Sequence, residues 1–245
     1  MTNIHRRQML LSLLAGSGFV APRALAQEPS PPDPSLYIPK AHVVEDRKVL
    51  HDFMDEFSFV DLVTPSPTLR ITHIPVILDR AAGRYGTILA HVAAQNPQSA
   101  ILDGAHSAVI VFRGPHGYVS PSWYVKQDVV PTWNFAVVHA TGRLSAITEK
   151  NALHDLLARL IDKFESYQIS GYNFSKLPDS YVTSLMSGLV GFEMQIDSLE
   201  GKFKLGQDRS ESDKQGVLEH LLLAAPRERS LHDFSASFYR RSQQR

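Results

Sequence analysis

The chain has 245 residues, 25 basic and 25 acidic side chains and 11 histidines, and no cysteine. Disulfides, thiolate metal sites, iron–sulfur clusters and cysteine nucleophiles are therefore excluded, and no block of five or more Lys/Arg supports a duplex-binding face.

Arg6 and Arg7 stand before the apolar run Met9–Val20, and Ala24-Leu25-Ala26 follows. A basic start, an apolar middle and a small-x-small end predict an export signal over 1–26, cleaved near Ala26. The run is too short for a membrane anchor, since about 20 apolar residues are needed to span the hydrocarbon. Arg6-Arg7-Gln8-Met9-Leu10 has the twin-arginine pattern, with a general secretory signal and a coincident arginine pair as the alternative. The expectation is a periplasmic or otherwise exported protein that engages the twin-arginine machinery and keeps no membrane anchor. The signal holds three basic residues and no acidic one, which leaves 219 residues at net −3. That length suits one large domain, and its charge predicts no nucleic-acid partner.

Residues 27–36, QEPSPPDPSL, read as a Pro-rich linker or extended arm. Helical spacing of Leu50, Phe53, Met54 and Phe57 predicts a helix in EDRKVLHDFMDEF. Strands are predicted at 58–64, 69–79, 87–92 and 107–114, the last ending at Gly114-Pro115, and over 135–147 with a bulge at its glycine. Thr148 is placed to cap a helix carrying Leu153, Leu156, Leu157, Leu160, Ile161 and Phe164. A short helix near Pro178, a strand over 189–201 and a helix over 210–224 complete a domain predicted over 37–225. A charged, peripheral tail is expected over 226–245. Strands joined by short turns, with helices at the edges, predict a mainly β, antiparallel barrel with flanking helices.

No nucleotide glycine loop, nucleophile elbow or zinc helix is present outside the signal, and no metal site is expected. The stretches THIP (72–75), GPHGYVSPSWY (114–124), VPTWNFAVVHATG (130–142) and LEGKFKLGQDRSESD (199–213) mix aromatic and polar residues with turn formers. Together with YIPKAH (37–42), EDRKVLHDF and LAHVAAQNPQ (89–98), and in this order, they resemble the PaiB-type family of FMN-binding negative transcriptional regulators. The resemblance covers about Tyr37 to Leu222. It implies an FMN-binding split β-barrel and a homodimer with FMN near the subunit interface.

On that resemblance, candidate cofactor contacts are Thr72, His73, His91, Asn96, Gln98, Thr132, Asn134, Lys202, Lys204 and Arg209. Each has a plainer reading. His73 is otherwise a core histidine, and Asn96-Pro97 explains ordinary turn capping at Asn96 and Gln98. Trp123, Tyr124 and Trp133 read as core or interface anchors before flavin-stacking groups. Lys202 and Lys204 alternate with Phe203 and Leu205, so they share a face, which is either solvated or phosphate-binding. Gly206 and Asp208 replace the serine and asparagine of the family pattern, and Asp208 adds negative charge there. The export signal and the acidic balance argue against the regulator role. The expected function is an exported FMN flavoprotein, either a binding protein or an FMN-dependent oxidoreductase. The alternatives are the regulator itself and a haem-binding split-barrel protein.

Overall fold

The computed structural model describes residues 33–126, 128–169, 171–224 and 226–243. The predicted export signal and residues 27–32 of the linker lie outside the described residues. In chain order the elements are β1 (Val43–Val44), α1 (Arg47–Glu56), β2 (Phe59–Thr64), β3 (Arg70–Pro75), β4 (Ile77–Asp79) and β5 (Thr87–Ala93). They continue with β6 (Asp103–Val119), β7 (Thr132–Ile147), α2 (Lys150–Glu165), α3 (Asp179–Met186), β8 (Leu189–Lys204), α4 (Glu211–Leu223) and α5 (Pro226–Gln243).

All strand pairs are antiparallel, in the order β3-β2-β6-β7-β8-β5-β4, with β1 also paired to β8. The segment 69–79, read from sequence as one strand, is two strands at opposite ends of this order. Pro75 has no N–H to offer a ladder, and the next N–H, that of Val76, turns to the Ser58 carbonyl at 2.9 Å. Only Val76 separates β3 from β4, so the sheet must curl until its two edges meet. The result is the split barrel with flanking helices.

Strand alternation then sorts the side chains. β7 sends Ala136, Val138 and Ala140 inward, and β8 sends Phe192, Met194, Ile196 and Phe203 into the same core. The β7–β8 register slips at Thr141/Gly142, the bulge expected from the glycine. A Cβ on Gly142 would lie 2.2 Å from the Gln195 carbonyl oxygen, so no other residue fits this close approach.

Helix α1 starts at Asp46, whose carboxylate accepts from the N–H groups of Lys48 (2.8 Å) and Val49 (3.2 Å). It buries Leu50, Phe53 and Met54 against the barrel. Helix α2 covers the other flank with Leu153, Leu156 and Leu160, packed on Ile77. Glu149, not Thr148, precedes its first turn, and it makes no side-chain cap bond.

The expectation of a peripheral tail after Pro226, with the domain closing at 225, is overturned. Leu231 of α5 is fully buried, and Phe234 packs edge-on against Phe53 (5.7 Å) and Phe203 (5.3 Å). The Tyr239 hydroxyl donates to the Leu205 carbonyl. Leu231, Phe234 and Phe238, at i, i+3 and i+7, form an apolar stripe inside a charged sequence, and that stripe docks the helix. Leu231→Ala should lower the unfolding free energy by about 2–5 kcal/mol, as for a core leucine. Leu223→Ala, at an exposed position of α4, should stay within about 0.5 kcal/mol of wild type in the same denaturant titration.

Candidate functional site

The outer face of β6, β7 and β8 collects cations and aromatic rings in three rows. Register pairs Arg113 with Val137 and Val137 with Lys202; His116 with Phe135 and Phe135 with Lys204; and Tyr118 with Trp133. Arg113 and His116 are three residues apart, so plain alternation would place them on opposite faces. A register shift between them, across Gly114-Pro115, returns both to the outside. β6 therefore continues through to Val119 and does not stop at Gly114 as read from sequence.

The two lysines have different settings. The Lys204 ammonium donates to Thr132 Oγ1 and, at 2.7 Å, to the Trp133 carbonyl oxygen. Partial burial lowers its pKa; the Asp208 carboxylate opposes this, while Lys202 and Arg209 add to it. Lys202 donates to the Tyr37 carbonyl oxygen at 2.8 Å and lies over the rings of Tyr37 and Phe135. Among the described residues neither lysine has a carboxylate within 4.0 Å, so two neighbouring positive charges lack a counter-ion. Trp133 is half exposed, with its ring near those of His116 (6.1 Å) and Tyr118 (6.4 Å). Phosphate needs cations with N–H groups to spare, and a planar heterocycle needs exposed ring faces; this donor set fits a phosphorylated flavin.

The face continues onto β2 and β3. His73 Nδ1 lies 2.5 Å from Asp61 Oδ1, and Arg113 reaches Asp61 Oδ2 at 3.0 Å, so His73 is joined to the cation rows through one shared carboxylate. Near the lysines, Gly206 adopts φ +83°, a left-handed turn that explains the glycine.

The ten residues singled out from sequence do not converge. Lys202, Lys204 and Thr132 stand together, and His73 borders them through Asp61. Thr72, Asn96 and Gln98 form a separate closed set. Thr72 donates to Gln98 Oε1 and accepts from Asn96 Nδ2 at 2.9 Å, and the buried Gln98 amide donates to Thr64 Oγ1 at 2.9 Å. Their polar atoms are spent on each other. Asn134 is buried on the inward face of β7, and the Arg209 guanidinium lies 5.0 Å over the buried Tyr124 ring. His91 is half buried on β5, with Nδ1 unpartnered and its pKa lowered by burial. It points to the same side as Leu89, which packs against the α2 cluster and not toward the lysines. Trp123 stacks on His220 at 5.2 Å. Sequence reasoning missed Arg113, His116 and Tyr118; the Gly-Pro pair inside an aromatic-bearing strand was the available signal.

A cleft of about 890 Å³ between α1 and α5 is not this face. Phe53, Phe203 and Phe234 line it, and among the described residues Glu45, Asp46, Asp52, Glu56 and Asp233 outnumber Lys40 and Arg241 there. A phosphate would be repelled there.

The family described as "Putative FMN-binding domain" matches residues 36–198. Protease synthase and sporulation protein PAI 2 of Bacillus subtilis is 33% identical over 187 residues, covering 76% of this chain and 89% of that protein. An uncharacterised protein of Aspergillus fumigatus is 30% identical over 198 residues, covering 62% of this chain and 76% of its own. Among solved structures, flavocytochrome Anf3 of Azotobacter vinelandii shares the fold, with a TM-score of 0.52 at 12% identity over 71% of this chain and 74% of that one.

If Thr72, Asn96 and Gln98 form a structural plug, Gln98→Leu should cost about 1–3 kcal/mol, because it strands the buried Thr64 hydroxyl. The folded variant should keep wild-type flavin affinity. A changed affinity with unchanged stability would place Gln98 in the binding site.

Proposed function

Since the chain belongs to this FMN-binding domain family, we propose that it is an exported flavoprotein that holds FMN on the outer face of β6–β8 and uses it as an oxidoreductase. The observation that carries this reading is the pair of partly buried lysines, Lys202 and Lys204, which among the described residues have no carboxylate within 4.0 Å, on a face that also exposes Trp133 and Tyr118. When bound, FMN supplies one- and two-electron chemistry through its isoalloxazine ring.

In this proposal the protein's own groups bind and orient. Lys202 and Lys204 neutralise the phosphate, which carries close to two negative charges at neutral pH. Thr132 Oγ1 and the Trp133 carbonyl fix the Lys204 ammonium, leaving it one N–H for the ligand. Trp133 and Tyr118 offer apolar ring surface to the heterocycle. Exposed Phe59 and Ile71 on β2 and β3, with Leu69 just before β3, support a homodimer in which a second copy covers the rest of the face. Paired Arg6-Arg7 supports export by the folded-protein route, which would let FMN load in the cytoplasm.

Lys204→Ala should weaken FMN binding by about 1.5–3 kcal/mol, roughly 10–150-fold, in a fluorescence titration. Riboflavin, which lacks the phosphate, should bind weakly to both forms. Equal FMN affinity in a folded variant would assign Lys204 to a solvated face and overturn the site.

The pH profile has a defined sign. Lys204 binds phosphate as the ammonium, and its pKa is lowered by burial. The preference for FMN over riboflavin should hold at neutral pH and decline on the alkaline side before an ordinary lysine would titrate. Lys204→Arg should shift that decline to higher pH. A preference that is flat to the alkaline limit in wild type would remove Lys204 from the phosphate site.

Export is checked separately. Replacing Arg6 and Arg7 by lysine should retain the precursor in the cytoplasm. Normal export of that form would remove the twin-arginine route and leave the flavin site untouched.

A further inference from the structure

Residues 35–37 lie on the outer face of β7 and β8 and grip it at two points. Ser35 donates to Glu200 Oε2 from both its backbone N–H (2.9 Å) and its hydroxyl (2.7 Å). Its Oγ also lies 3.0 Å from His139 Nδ1. The single hydroxyl proton goes to the carboxylate, so His139 Nδ1 carries the proton in that contact and donates it to Ser35. Two residues on, the Tyr37 carbonyl oxygen accepts from Lys202 at 2.8 Å, and the Tyr37 ring lies 5.5 Å from the same ammonium. The Phe135 ring lies 5.4 Å from it as well. Ser35 and Tyr37 thus meet Glu200 and Lys202 at the same two-residue spacing, running alongside β8.

Burial does not explain Tyr37, whose residue surface is 81% exposed. Its carbonyl and its ring both meet the Lys202 ammonium. A lysine on a free four-carbon stem wanders, and ordering it on ligand binding costs side-chain entropy. Here a carbonyl and two ring faces hold the ammonium in advance. Among the described residues Lys202 has one hydrogen-bond acceptor, so two of its three N–H groups remain for an anion.

We infer that Ser35–Tyr37 is a positioning strap. Ser35 latches it to Glu200 and His139, Tyr37 aims Lys202, and the strap thereby sets the preference for phosphorylated over unphosphorylated flavin. This rests on the reading of the face as the FMN site. The strap contacts no group assigned to the heterocycle, so its effect is on phosphate recognition.

The test uses full-length protein titrated with FMN and with riboflavin, with thermal unfolding as a folding control. Tyr37→Ala should raise the FMN Kd by about 3–10-fold, the range expected for a partly exposed cation–π contact together with lost ordering. It should leave the riboflavin Kd unchanged. Ser35→Ala should act in the same direction, and Tyr37→Phe, which keeps the ring and the carbonyl, should behave as wild type. In the double variant Tyr37→Ala/Lys202→Ala the loss should equal that of Lys202→Ala alone, because the strap acts through that lysine. If Lys202→Ala abolishes the FMN preference while Tyr37→Ala keeps it, or if the two losses simply add, the strap is overturned and the site stands. If neither Lys202→Ala nor Lys204→Ala changes the preference, the site reading itself falls, and the strap with it.

Discussion

Closure of the sheet is the constraint on which the other features depend. One residue, Val76, joins strands at the two ends of the strand order, so the sheet cannot stay flat. Once it curls, every strand has an inside and an outside, and the two-residue period assigns each side chain to one or the other. The inside takes Phe112, Phe192 and Phe203; the outside takes Arg113, Lys202 and Lys204. Burying the first set is thus the same event that lines up the second. The helices then seal the barrel, with Phe53 of α1 and Phe234 of α5 both resting on Phe203. Phe203 sits between the two lysines in sequence, so core packing fixes the backbone that presents them.

Electrostatics on the outer face follows from partial burial. A fully exposed lysine would be screened by water and would discriminate little among anions. A deeply buried one would lose its proton or require a carboxylate. Lys202 and Lys204 lie between these limits, held by carbonyl, hydroxyl and ring contacts that satisfy geometry without cancelling charge. Asp208 offsets part of the positive potential at Lys204 without contacting it. The acidic cleft between α1 and α5 has the opposite sign, so the molecule separates an anion-attracting face from an anion-repelling one.

Much of this was legible in the sequence, for local reasons. Alternation over 135–147 and 189–201, the glycine bulge, the leucine stripe of α2 and the shared face of Lys202 and Lys204 are properties of short segments, and period alone reveals them. The family was legible too, because rare combinations such as PSWY, VPTWN and GKFKL occur in a fixed order. Thr132 and Lys204 were both candidates through the resemblance, but their contact across 72 residues was not legible in the sequence.

What remained belonged to long-range pairing. Pro75 marks a weak point in 69–79, but no local pattern says that the two halves go to opposite ends of the strand order, because that is imposed by a sheet that must close. Arg113 and His116 share a face only because β7 pairs across a bulge. Thr72, Asn96 and Gln98 looked like free donors in sequence, yet each is spent on another once β3 is brought beside the turn after β5. The stripe of α5 was masked by the charges around it, and its value became visible only with Phe53 and Phe203 as partners. The sequence by itself thus determined most of the elements, the faces of the regular ones and, through its resemblance, the chemical class of the ligand. Tertiary structure alone decided which polar groups stay unsatisfied. Satisfaction depends on partners far away in the chain, and among the described residues Lys202 and Lys204 are left with neutral acceptors and no carboxylate partner.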